Sequence, residues 1–114
     1  MTNEVRQVMD KLESIKEIKN YIQSNELVLI YFKTEDNGIC RELDSLIESV
    51  SEKYNKMSSA KVDTGNLPAV PNDFKMFTVP EIVVFMKGTV VVEQSRYINF
   101  REIEEVLSNY YKYI

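Results

Sequence analysis

"LVLIYFKTEDNGICRELDSLIESV" occupies residues 27–50, and a change of rhythm inside it decides how the chain folds. Residues 27–32 are an unbroken apolar, β-rich run closed by polar neighbours. Such a run reads as a central strand buried on both faces of a sheet that helices cover. From Ile39 the period lengthens. Ile39, Cys40, Leu43, Leu46, Ile47, Val50 and Tyr54 mark one face of a helix over about 37–55, with Arg41, Asp44, Glu48 and Glu52 opposite. The joint holds the only cysteine of the chain, Cys40. Asp36 and Asn37 are residue types that cap helix starts, and Gly38 relieves crowding at the entry.

The same period logic extends to both ends. Ser14-Ile15-Lys16-Glu17 is a capping box, in which the serine accepts from the amide three residues on and the glutamate reaches back. Ile15, Ile18, Tyr21 and Ile22 then predict a helix over about 15–24. Residues 5–12 fit either a short strand or the start of one long helix; the capping box favours the strand. "SAKVDT" (59–64) reads as a strand, and all three prolines fall between 68 and 80, leaving room for a short helix over about 72–77. "EIVVFM" (81–86) and "TVVVEQS" (89–95) flank Lys87-Gly88, a hairpin signal. Phe100, Ile103, Val106, Leu107, Tyr110 and Tyr111 predict a terminal amphipathic helix over about 99–112. Alternating strands and helices followed by a hairpin predict one α/β domain over 1–114. Its mixed sheet has parallel strands, a C-terminal antiparallel hairpin and helices on both faces.

Bulk properties narrow the chemistry. The 114 residues carry a net charge of −4, with acids and bases interspersed. Phosphate binding needs a cationic footprint, so a nucleic-acid partner is not expected. No stretch approaches a membrane span, and the first residues lack a signal-type apolar run. One cysteine cannot form an internal disulfide. These features favour the cytoplasm. The chain has no histidine, which removes the commonest general base and zinc ligand. No metal or other cofactor is expected.

The order of elements and three local features resemble the thioredoxin family over nearly the whole chain. The features are the strand leading into Gly-x-Cys at a helix start, the Val-Pro before a strand, and the Lys-Gly hairpin. In the resemblance, the family's Cys-x-x-Cys motif falls on Asn37, Gly38, Ile39 and Cys40. Its cis-proline loop falls on Thr78, Val79 and Pro80. The implied fold is thioredoxin-like, and the departures govern what is implied for the chemistry. The nucleophilic cysteine of the family is Asn37 here, and an amide cannot attack a disulfide. The family's buried aspartate falls on Tyr31, its nearby lysine near Ser59, and the tryptophan before the motif on Asp36. The glycine that leaves room for a substrate chain falls near Tyr97, which implies an altered groove.

Cys40 therefore has two readings. On the stripe with Leu43 and Ile47 it is a small core hydrophobe; in the first turn of a helix it is a thiol whose anion the dipole favours. The expectation is a thioredoxin-like protein with a degenerate single-cysteine site that uses mixed-disulfide chemistry toward a protein, a peptide or a small thiol. It would be at most a weak thiol–disulfide oxidoreductase. The alternative is a non-catalytic module that holds an extended peptide in a groove of Asp36, Thr78, Val79, Pro80 and Tyr97. A third expectation is a homodimer through the C-terminal helix, with Tyr111 and Tyr113 as contacts.

Overall fold

The computed structural model describes residues 8–34, 38–67 and 79–114, with backbone alone for 38–41. The expected helix over 72–77, and Asp36, Asn37 and Thr78, lie outside the described residues. Among the described residues eight elements follow in order: β1 (Asp10–Lys11), α1 (Ile15–Ser24), β2 (Leu27–Lys33), α2 (Gly38–Lys53), β3 (Ser58–Asp63), β4 (Glu81–Met86), β5 (Thr89–Ser95) and α3 (Phe100–Tyr111). The sheet order is β1-β3-β2-β4-β5. β1 and β2 both run parallel to β3, β4 is antiparallel to β2, and β5 is antiparallel to β4. Of the ambiguous stretch before α1, the structure makes Asp10–Lys11 a two-residue strand.

All seven residues of β2 are buried. Successive strand side chains point to opposite faces, so β2 feeds two cores. Leu27, Leu29 and Tyr31 pack with Ile47 and Val50 of α2, with Tyr54 just beyond its end, and with Ile103 and Leu107 of α3. Val28, Ile30 and Phe32 pack with Ile18 of α1, Ala60 and Val62 of β3, and Val83 and Phe85 of β4. Thus α2 and α3 cover one face, and α1 covers the other.

The helix ends follow their caps. Ser14 Oγ accepts from the Glu17 amide at 3.1 Å, while Glu17 Oε1 accepts from the Glu13 amide, one residue earlier than in a standard capping box. Asn25 closes α1 by donating from Nδ2 to the Tyr21 carbonyl at 2.9 Å. Asn99 Oδ1 accepts from the Glu102 amide at 3.1 Å and starts α3. At the hairpin, Lys87 and Gly88 both have positive φ (51° and 83°), which gives the twist that a two-residue connection requires.

Two assignments on α2 change. Leu46 is 53% exposed, although the apolar stripe included it. Asp44, placed by its charge on the outer face, turns inward to Tyr31 and Lys33. Residues 44 and 46 are about 200° apart on a helix, so they cannot both face the sheet. Tyr111, expected as a surface contact, is engaged within the chain. Its ring meets that of Tyr54 edge-on at 5.2 Å, and its hydroxyl accepts from the Lys56 amide at 2.9 Å. Tyr113 remains largely exposed.

Ile18 is the one fully buried residue of α1 and has no accessible surface. Ile18→Ala should lower unfolding free energy by about 2–5 kcal/mol. The expected result in urea is a lower midpoint with an unchanged slope.

Candidate functional site

The candidate site lies at one end of the sheet. There β2 ends at Lys33, α2 begins at Gly38, β4 begins at Glu81 and β5 ends at Ser95. Phe32 pairs with Glu81, and Glu81 with Ser95, so these termini are adjacent. Gly38, Ile39 and Cys40 form the first turn of α2. The Val79–Pro80 peptide bond is cis. Val79 is half-buried and packs against the α1-side core, while Pro80 is buried.

A second loop braces the proline. The Arg96 amide donates to the Pro80 carbonyl at 2.8 Å, and the Tyr97 amide donates to the Ser95 carbonyl at 2.7 Å. Gln94 Oε1 accepts from the Asn99 amide, and Gln94 Nε2 donates to Glu102 Oε1, both at 2.6 Å, which ties the loop to the start of α3. Arg96 has φ +67°, the left-handed region that L side chains rarely adopt. That geometry costs roughly 1–2 kcal/mol relative to glycine. Tyr97 is 83% exposed. The position where the backbone calls for glycine is Arg96, however, one residue before the Tyr97 singled out in the sequence.

On the α2 side, the resemblance implied that a buried charge pair is missing. The structure has one in another place. Lys33 Nζ donates to both Asp44 oxygens, at 3.1 and 2.9 Å, and the Tyr31 hydroxyl donates to Asp44 Oδ1 at 3.0 Å. The Lys33 side chain is only 7% exposed and that of Asp44 33%. Asp44 lies one helical turn beyond Cys40 in α2. Ser59, the position assigned to the family's lysine, is buried, and its Oγ has no partner among the described residues.

On the opposite face, Glu81 is 3% exposed. Its carboxyl is pushed up to about 8, first by burial, then by a hydrogen bond to Glu93 and by the negative charge of Glu93. Glu93 pairs with Val83, so it stands on the same face of the sheet as Glu81. In the sequence Glu81 reads only as the first residue of the strand over 81–86. An acidic residue inside an otherwise apolar strand, directly after Pro80, was the signal available. Among the described residues no cluster of three or more His, Cys, Asp or Glu side chains is arranged to hold a metal.

Two predictions follow from these contacts. Asp44→Ala leaves the buried Lys33 without this carboxylate and should cost about 2–4 kcal/mol, whereas Tyr31→Phe should cost about 0.5–1.5 kcal/mol in the same denaturation assay. Glu81 should make stability fall with rising pH. Its folded value lies above the unfolded one of 4.5, so its contribution is complete below about pH 4.5 and is lost as pH rises to about 8. Glu81→Gln should flatten that decline in denaturation midpoints measured across the interval.

The comparisons with known proteins agree with this geometry. The thioredoxin-like protein YdfQ of Bacillus subtilis is 23% identical over 104 residues, covering 91% of this chain and 93% of that protein. Monothiol glutaredoxin-4 of Saccharomyces cerevisiae is 30% identical over 74 residues, covering 63% of this chain and 30% of that protein. A solved structure of Plasmodium falciparum thioredoxin superposes with a TM-score of 0.79 at 25% identity, covering 90% of this chain and 99% of that one. The thioredoxin family model matches residues 10–110. With its mixed sheet, its Cys40 helix start and this match over most of its length, the chain belongs to the thioredoxin family.

Proposed function

We propose that this protein acts through one thiol, Cys40, and docks a protein or peptide partner across the Val79–Pro80 loop. The observation that carries the reading is the position of Cys40 in the first turn of α2, at the same sheet end as the cis Val79–Pro80 bond, in a chain with no other cysteine. The amide dipoles of a helix N-terminus favour a thiolate over a thiol. The Cys40 thiolate attacks one sulfur of a partner disulfide. A Cys40–partner bond forms, the old bond breaks, and the second sulfur leaves as a thiolate. The chain has no second cysteine to resolve the product, so an external thiol must do so. The word monothiol in the name of one relative fits this chemistry. A reducing compartment such as the cytoplasm would keep Cys40 as a thiol between turnovers. No described helix is long and apolar enough to cross a membrane.

A second reading keeps the docking and drops the redox step. The Arg96–Pro80 hydrogen bond favours it, because it braces the loop independently of any sulfur. Extended-peptide recognition by backbone pairing needs no thiol.

The test is the alkylation rate of Cys40 in the native protein from about pH 5 to about pH 10. The expected profile has a midpoint below the free-thiol value of about 8.5. Reaction only after unfolding would remove the thiol step and leave docking alone. Asn37→Cys supplies the outer cysteine and should confer measurable disulfide reductase activity.

A further inference from the structure

We infer that Arg96 and Tyr97 make the groove selective for an extended partner segment that carries a carboxylate side chain next to an apolar one. This rests on the docking part of the proposed function and adds the chemistry of the partner. Lys87 and Arg96 are the two non-glycine residues with positive φ among the described residues. The hairpin turn accounts for Lys87. Arg96 is the central residue of a tight three-residue turn that the Tyr97 amide closes on the Ser95 carbonyl, and the geometry there suits glycine. The exposed guanidinium forms no ion pair among the described residues, although Glu81, Glu93 and Glu102 belong to neighbouring elements. Glu81 is buried and bonded to Glu93, and Glu102 accepts from Gln94. These three carboxylates are therefore committed elsewhere, and the residue whose amide braces the Pro80 carbonyl carries an exposed cation with no ion pair among the described residues.

A guanidinium offers a planar, two-pronged donor that matches a carboxylate better than any other side chain does. Tyr97, which follows it, presents an aromatic ring that is 83% exposed. An apolar or aromatic partner side chain can cover that ring. A lysine-rich segment would instead face Arg96 as a like charge.

The experiment uses the full chain as Cys40→Ser, so that capture by sulfur does not enter. Three fluorescent peptides of one extended sequence carry aspartate, asparagine or lysine at the position flanking a central leucine. Anisotropy titration at low salt should show the aspartate peptide binding about ten-fold more tightly than the lysine peptide. Added salt should shrink the ratio. Arg96→Gly, which suits the left-handed backbone, should abolish the preference, and Arg96→Glu should reverse it. Equal affinities for all three peptides, or a preference that survives Arg96→Gly, would overturn the inference while docking stands. Absence of binding by any peptide would overturn both the inference and docking. The thiol step is judged separately by the alkylation profile of unsubstituted Cys40.

Discussion

Burial of β2 on both faces is the constraint on which the rest of the structure depends. A seven-residue strand with no exposed side chain must be flanked by strands and covered by helices on both sides. It therefore sits between β3 and β4 and supplies both cores. A slip of one residue would exchange Tyr31 and Phe32 between two differently shaped cores, so the register is strongly specified. Because the chain leaves β2 at Lys33, the first turn of α2 emerges at the same sheet end as the start of β4. That the first turn of α2 and the Val79–Pro80 segment share one end of the sheet is a consequence of that strand.

The last residue of β2 also sets the rotation of α2. A buried ammonium without an anion is costly, and Asp44 satisfies it. With Asp44 turned toward the sheet, Leu46 must face outward. The apolar stripe of α2 is thus displaced by a polar requirement that originates on another element. Sequence periodicity could not contain it, because the apolar run ends at Phe32 and a charged residue on a helix is normally solvated. The same limit applies at the C-terminus. Glu104 pairs with Lys53 at 2.7 Å and Tyr111 packs on Tyr54, so residues that looked like surface features join α3 to α2.

Near the Pro80 loop, polar residues occupy positions where the sheet offers little water. Glu81 is buried between apolar neighbours and can be accommodated when its own carboxyl is protonated and hydrogen-bonded to Glu93. Arg96 holds a backbone geometry suited to glycine while its amide secures the Pro80 carbonyl. Local rules are broken together here, and a concentration of such breaks is characteristic of sites that serve something other than stability.

The sequence by itself determined the order and type of the described elements from α1 to α3, because one apolar run, two capping residues and a Lys-Gly pair are local signals that survive in any tertiary context. It also set Asn37 and Cys40 three residues apart, since that depends only on counting along the chain. Only the tertiary structure decided which polar residues are buried. The partnership of Lys33, Tyr31 and Asp44, that of Glu81 with Glu93, and that of Arg96 with Pro80 all link residues distant in sequence. Burial and pairing are properties of what the fold brings alongside a residue. Residue type and spacing along the chain carry no record of that neighbour.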